Sequence, residues 1–327
     1  FALESLGVEV RSVPFSRTGV NPFSDMITLT SLFNLFRKTR PEAVIAYTAK
    51  PVIYGALAAR IAGVPRFAAM ITGLGYSFVA GPGLKRRMAR GVATQLYRIA
   101  LKRCSTVIFQ NPDDRAIFTE LGLLKGAGTI GVVNGSGIDL QHFEVCPLPP
   151  KPAFLLVARL LADKGIREFA EAAAKLRELM PGVRTLLAGG PDPSPNSVRQ
   201  YELDSWVAGG LEYLGQLNDV RPAFAQASVV VLPSYREGTP RSVLEGMAMG
   251  RAIITTDAPG CRETVKPGLN GILVPPRDSD ALFDAMMALA GNNRMVKDMA
   301  RASRQIAEEK YEGRSVARDT MRLAGLI

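Results

Sequence analysis

Short apolar runs rich in β-branched residues alternate with segments of helical period along the whole chain, and they do so twice. That rhythm restricts the chain to parallel sheets covered by helices. In the first half, strands are expected at 8–13, 43–47, 66–71, 105–109 and 129–133, with helices at about 24–39, 52–62, 84–103 and 113–121. A second series follows, with strands at 153–158, 183–188, 228–232, 252–255 and 271–274, and two helical patterns at about 294–309 and 313–325 close the chain. Between them Cys146-Pro-Leu-Pro-Pro-Lys-Pro152 reads as a linker, dividing the chain into domains 1–145 and 146–327. The expected architecture is two doubly wound α/β domains facing a cleft, with ligands at the carboxyl ends of the strands. Phe1-Ala-Leu-Glu-Ser-Leu-Gly7 reads as the tail of a helix entering the 8–13 strand, so a βα unit is expected upstream.

At 327 residues and 47% apolar, the chain can bury two sizeable cores. No apolar run approaches the ~18–20 residues that span a bilayer. Cys104, Cys146 and Cys261 lie far apart without metal or disulfide spacing, and a cytosolic, reducing setting is expected. The single histidine, His142, nearly excludes a histidine triad or a histidine-rich metal site. The net charge of +10 is uneven, with 17 Lys/Arg against 9 Asp/Glu in 1–145 and 23 against 21 in the remainder. The first half therefore faces something anionic. Its basic stretches lack interleaved aromatics and any recognisable binding module, which argues against nucleic acid.

The segment from Glu237 to Glu245 carries the sharpest chemistry. It follows the strand ending at Leu232 and opens a helix reaching about Met249. Thr239 is expected as the N-cap and Pro240 as the first helical residue. The N–H groups of Arg241, Ser242 and Val243 would then point outward unpaired, ready for an anion at the positive end of the dipole. Glu245 lies five residues past Pro240, roughly 7–8 Å along the axis, about the reach from a terminal phosphate to a ribose diol. Glu237 lies on the other side of that phosphate. The geometry suggests a nucleotide diphosphate joined to a hydroxyl-rich group, such as a nucleotide sugar. A second signal follows the strand at 153–158, where Arg159 and Lys164 precede Gly165 and a helix at 166–180. Cations near a helix start oppose the dipole, and they make sense there as a phosphate clamp.

With these residues the chain resembles the retaining nucleotide-sugar glycosyltransferases of the GT-B fold that carry a Glu-x7-Glu motif, the family 4-like group. The resemblance covers nearly the whole chain and rests on Ala158-Arg159, Lys164-Gly165, Leu214-Gly215, Pro233-Ser234, Glu237 to Pro240, Glu245, Gly260 to Thr264 and Asn270-Gly271. It implies an α/β fold of two Rossmann-like domains, the first lacking its initial βα unit, with the last helix returning to it. It also implies roles. Arg159 and Lys164 neutralise the diphosphate, Glu245 holds the ribose, and Gly238, Thr239, Pro240, Arg241 and Ser242 hold phosphate and sugar. Leu214 and Gly215 line the base pocket, and Glu237 positions the transferred sugar. Family members commonly let the departing phosphate take the acceptor's proton, chemistry that needs electrostatic stabilisation more than a general base.

Ile71-Thr-Gly-Leu-Gly-Tyr-Ser-Phe78 and Phe109-Gln-Asn-Pro-Asp-Asp114 resemble the subgroup that acts on polyprenyl-diphosphate-linked glycans. This places Thr72 and Gly73 on the acceptor side, although relatives often carry a histidine near that position and this chain does not. The implied function is transfer of a hexose or N-acetylhexosamine from a UDP-linked donor to a lipid-linked acceptor at the cytoplasmic membrane face. In segment 84–103, Leu84, Met88, Val92, Leu96 and Ile99 form a stripe beside Lys85, Arg86, Arg87, Arg90, Arg98, Lys102 and Arg103. That pattern fits a helix packed on the sheet with a solvated basic back, or a helix lying on anionic headgroups. Asp278-Ser-Asp280 superficially resembles a metal-diphosphate motif, but capping of a helix at about 279–290 explains it, and no metal or cofactor is expected. Three alternatives remain: a nucleotide-sugar epimerase of the same architecture, a nicotinamide-dependent oxidoreductase, and a donor-binding but inactive protein.

Overall fold

The computed structural model describes residues 4–15, 21–74, 84–194 and 196–327. The chain forms two compact units, Phe1–Ile108 with Ala116–Gly131 and Met321–Ile327, and Phe109–Arg115 with Val132–Thr320. The division is therefore not a single cut at 145/146.

The first unit is built on β1 (Ala43–Tyr47), β2 (Arg66–Ile71), β3 (Thr106–Phe109) and β4 (Thr129–Val132), in that order across one sheet. β1 and β2 run parallel, with Ala43 opposite Arg66. Around the sheet lie α1 (Pro22–Thr39), α2 (Ala49–Ala62), α3 (Leu84–Leu101) and α4 (Pro112–Glu120). Asn21 starts α1 by accepting from the N–H groups of Phe23 and Ser24, with proline at the first helical position. The strand expected at 8–13 does not form: those residues join no ladder, and Val8 and Val10 stay about half exposed. Their apolar alternation finds no sheet face to bury against among the described residues. At the other end, the Thr106 hydroxyl donates to the Leu323 carbonyl at 3.1 Å, fixing the last residues to the first unit.

The second unit holds a six-stranded, all-parallel sheet. Its strands are β5 (Ala153–Val157), β6 (Arg184–Ala188), β7 (Glu212–Tyr213), β8 (Val229–Leu232), β9 (Ala252–Thr256) and β10 (Gly271–Val274), ordered β10-β9-β8-β5-β6-β7. Its helices are α5 (Ile166–Leu179), α6 (Gln200–Ala208), α7 (Arg221–Ala225), α8 (Arg241–Ala248), α9 (Ser279–Ala290), α10 (Asn293–Lys310) and α11 (Gly313–Leu323). Successive side chains of a strand point to opposite faces, and both faces here are apolar. Phe154, Leu156, Leu187, Val229, Val231 and Ile254 pack with α5 and α9 on one side. Leu155, Leu186, Val230, Leu232 and Ile253 pack with α8 and α10 on the other. From β5 the chain winds outward through β6 and β7, then returns to add β8, β9 and β10 on the opposite side. The loops after β5 and β8 thus diverge from neighbouring strands, which is the topological switch point where doubly wound sheets hold ligands.

Candidate functional site at the switch point of the second unit

Two loops meet at that point. After β5 the chain runs through Arg159 and a short turn, Ala162–Lys164, to Gly165, whose φ of +71° starts α5. After β8 it runs from Pro233 to Pro240. The loops touch at backbone level: Tyr235 N–H donates to the Asp163 carbonyl at 2.9 Å. A Cβ on Gly165 would stand 2.1 Å from the Pro233 carbonyl oxygen, so only glycine lets the loops approach this closely. On the far side, Glu237 N–H donates to the Pro259 carbonyl at 2.9 Å, tying the β8 loop to the one after β9.

This scaffold brings Lys164 and Glu237 together. Lys164 Nζ lies 2.5 Å from Glu237 Oε1, with the two side chains 18% and 15% exposed. The Ser234 hydroxyl lies 2.8 Å from the same oxygen. Oε2 has no protein donor among the described residues, so it stays available to an incoming hydroxyl. The expected phosphate clamp is thus partly engaged: Lys164 neutralises Glu237, and Arg159 is salt-bridged to Asp192 at 2.6 Å.

The start of α8 differs from expectation by one residue. Pro240, with extended backbone, is the cap residue and Arg241 opens the helix. Thr239 makes no cap bond, because its hydroxyl instead donates to the Gln110 carbonyl at 3.1 Å. Val243 N–H is also not free, since it donates to the Pro240 carbonyl at 3.1 Å. The N–H groups of Arg241 and Ser242 have no acceptor among the described residues, so two donors rather than three face outward at the dipole's positive end. Glu245 lies one turn further on, only 8% exposed, and its Oε1 accepts from Arg241 Nε at 2.9 Å. Burial raises the Glu245 carboxyl above the ordinary glutamate range, and the Arg241 guanidinium only partly opposes this.

Leu214 and Gly215 follow the two-residue strand β7. Leu214 N–H donates to the Leu187 carbonyl and Gly189 N–H to the Gly215 carbonyl, both at 2.8 Å, lacing this loop to the carboxyl end of β6. Sequence reasoning missed the struts beneath Gly238. Asn111, fully buried, accepts from Asp114 N–H at 2.8 Å to start α4, and donates to the Gly238 carbonyl at 2.8 Å. Arg236 pairs with the fully buried Asp114, whose carboxyl burial pushes up against the opposing pull of that guanidinium. An asparagine directly before a proline at a helix start was the available signal.

In the first unit, Thr72 and Gly73 follow the carboxyl end of β2, and Gly73 has a φ of +124°. Residues 75–78 of the loop they open lie outside the described residues. On α3 the packed side is Tyr97, Ala100 and Leu101. Met88, Val92 and Ile99, spaced four and seven apart, fall away from it and are 63%, 48% and 52% exposed. Arg87, Arg90 and Arg98 are exposed as well. No described helix is long and apolar enough to cross a membrane. Asp278 caps α9 by accepting from Ala281 N–H at 2.8 Å, and no group of three metal-ligating side chains occurs among the described residues.

Residues 151–292 match the family described as glycosyl transferases group 1, and residues 2–111 match the glycosyl transferase 4-like family. The chain is a glycosyltransferase. It is 29% identical to the N,N'-diacetylbacillosaminyl-diphospho-undecaprenol alpha-1,3-N-acetylgalactosaminyltransferase of Campylobacter jejuni, over 98% of this chain and 86% of that one. It is 27% identical to the UDP-Gal:alpha-D-GlcNAc-diphosphoundecaprenol alpha-1,3-galactosyltransferase of Escherichia coli, over 84% and 73%. Among solved structures it superposes on sucrose-phosphate synthase from Thermosynechococcus elongatus with a TM-score of 0.81, at 20% identity over 95% of this chain and 80% of that one. Anabaena HepE in complex with UDP-glucose gives 0.74, at 18% identity over 94% and 84%. These likenesses establish the fold of the glycosyltransferase as GT-B, with two α/β units.

Proposed function

We propose that this glycosyltransferase moves a hexose or N-acetylhexosamine from a UDP-linked donor to a polyprenyl-diphosphate-linked glycan, with retention at the anomeric carbon. The observation that carries the reading is the Lys164–Glu237 pair at the switch point, in the loop that opens the helix bearing Glu245. Both relatives named above take diphosphoundecaprenol-linked acceptors and form alpha-1,3 linkages, which supports the acceptor class and the retained configuration.

In this reading the donor diphosphate docks on the free N–H groups of Arg241 and Ser242. Lys164 turns from Glu237 to the phosphate, and Arg159 from Asp192, neutralising charge as the anomeric C–O bond breaks. Glu237, released, accepts from hydroxyls of the transferred sugar. Glu245 gives up Arg241 for the ribose diol, and Leu214 and Gly215 line the base. The acceptor hydroxyl attacks from the face the phosphate leaves, and its proton passes to the departing phosphate oxygen. Charge neutralisation comes from these side chains and α8, with no metal required. Thr72 and Gly73 lie on the acceptor side, and the exposed apolar stripe of α3 rests among anionic headgroups on the cytoplasmic face, its arginines pairing with phosphates.

The test is incubation of UDP-sugars with a synthetic polyprenyl-diphosphate-linked monosaccharide and mass analysis of the lipid. One added sugar in alpha linkage is expected. Equal transfer to free saccharides would remove the lipid acceptor, and no transfer from any UDP-sugar that binds would remove the reading altogether.

A further inference from the structure

Arg251 is fully buried, between α8 and β9, and no carboxylate among the described residues bonds to it. Its Nη2 donates to the Cys146 sulfur and, at 3.2 Å, to the Pro147 carbonyl. Nε and Nη1 are buried without a partner among the described residues. A guanidinium taken out of water needs a counter-charge or a full set of acceptors, and this one has neither. The one atom it touches that can carry negative charge is the Cys146 sulfur. An anionic sulfur accepts N–H bonds well and is the nucleophile of disulfide exchange, and reactive thiols sit beside cations where they are partly exposed.

Cys146 has that position, beside the Arg251 guanidinium and partly exposed. It is half-buried, and it opens onto a cavity of about 500 Å³ lined also by Gln141, His142, Glu144, Asp219 and Arg221. That lining carries the Asp219–Arg221 ion pair and the Glu144 carboxylate, a polar surround for a small charged thiol reagent. The other thiols form an internal contrast: burial pushes both Cys104 and Cys261 up to about 12, which keeps them protonated and inert.

We propose that Cys146 is a modification site, an exchange-competent thiol activated by Arg251 that takes a low-molecular-weight thiol as a mixed disulfide. The Cys146 sulfur attacks one sulfur of a small disulfide such as oxidised glutathione. The reagent's S–S bond breaks, a bond to Cys146 forms, and the second glutathione leaves as a thiolate that takes a proton from water.

The experiment treats the folded protein with oxidised glutathione and follows each cysteine by peptide mass mapping. A synthetic peptide spanning 141–151, which lacks Arg251, serves as reference. Cys146 is expected to acquire one glutathionyl group about ten-fold faster than the peptide, while Cys104 and Cys261 stay free. Arg251→Met, a buried substitution of similar length, is expected to bring the rate down to the peptide's, and Arg251→Lys to retain most of it. Exchange in the folded protein no faster than in the peptide overturns the proposal, and so does an unchanged rate in a folded Arg251→Met protein. If Arg251→Met fails to fold, the comparison of wild type with the peptide decides alone.

Discussion

Replacing Gly165 by alanine tests whether the close approach of the β5 and β8 loops builds the site. Gly165 has a φ of +71°, where an L side chain costs about 1–2 kcal/mol. The added Cβ would also sit 2.1 Å from the Pro233 oxygen and 2.7 Å from its carbonyl carbon. Relieving that overlap needs the loops to part by about 0.9 Å, and overpacking of this kind typically costs a further 1–3 kcal/mol. The total is about 2–5 kcal/mol. The movement is directed along the line joining the two loops, so it also draws Lys164 away from Glu237. A misplacement of about 1 Å at reacting groups can cost roughly 100-fold in rate. Trp206, the only tryptophan, lies in α6 of the second unit and reports its urea unfolding by fluorescence. Gly268→Ala is the control: φ is +77°, but the added Cβ meets open space, so about 1–2 kcal/mol and unchanged transfer are expected. Should Gly165→Ala unfold alongside the control and transfer at the wild-type rate, the contact does not organise the site.

Four further outcomes are expected. Lys164→Met leaves the largely buried Glu237 unpaired and should cost about 2 kcal/mol, recovered in the double variant with Glu237→Gln, whereas both forms lose transfer; additive unfolding shifts would contradict the pairing. Glu245→Ala should weaken donor binding and Glu237→Ala mainly slow transfer, separable as Kd against kcat; equal and negligible effects would remove both roles. Because burial raises Glu245, its contribution to stability is most favourable below its unfolded value and is lost as pH rises through the raised one. Ribose binding needs the carboxylate, so calorimetric donor affinity should fall as pH drops through that raised value, above the ordinary ~4.3, and Glu245→Gln should abolish the dependence. Arg87→Glu with Arg90→Glu should weaken binding to anionic vesicles by about 1 kcal/mol per charge without slowing transfer to a short-chain, water-soluble acceptor; unchanged vesicle binding would detach α3 from the membrane.

Most strands were legible because each is a compact apolar run buried on both faces, as Val229–Leu232 is. β7 was not, since Glu212 and Tyr213 earn strand status only by pairing with Leu186 and Leu187. The 8–13 segment failed in the opposite sense, having strand composition without a partner. In the site, residue types were readable but pairings were not. Nothing in the spacing of Lys164 and Glu237, or of Arg159 and Asp192, announces an ion pair, because the strand order creates each contact. Thr239 shows how tertiary structure overrides local preference: a good capping residue spends its hydroxyl on Gln110, distant in sequence. The α3 stripe has helical spacing whether it faces the sheet or water, and only the burial of Tyr97, Ala100 and Leu101 separates the two.

Calorimetric titration of UDP and of its 2′,3′-dideoxyribose counterpart, into wild type and Glu245→Ala, tests the donor site most directly. Charge-assisted bonds of about 1.5–3 kcal/mol predict that wild type prefers the intact ribose by roughly ten- to hundred-fold, and that Glu245→Ala binds both nucleotides equally and weakly. Equal affinity of the wild type for the two, or a preference that survives in Glu245→Ala, would contradict the placement of the nucleotide along α8.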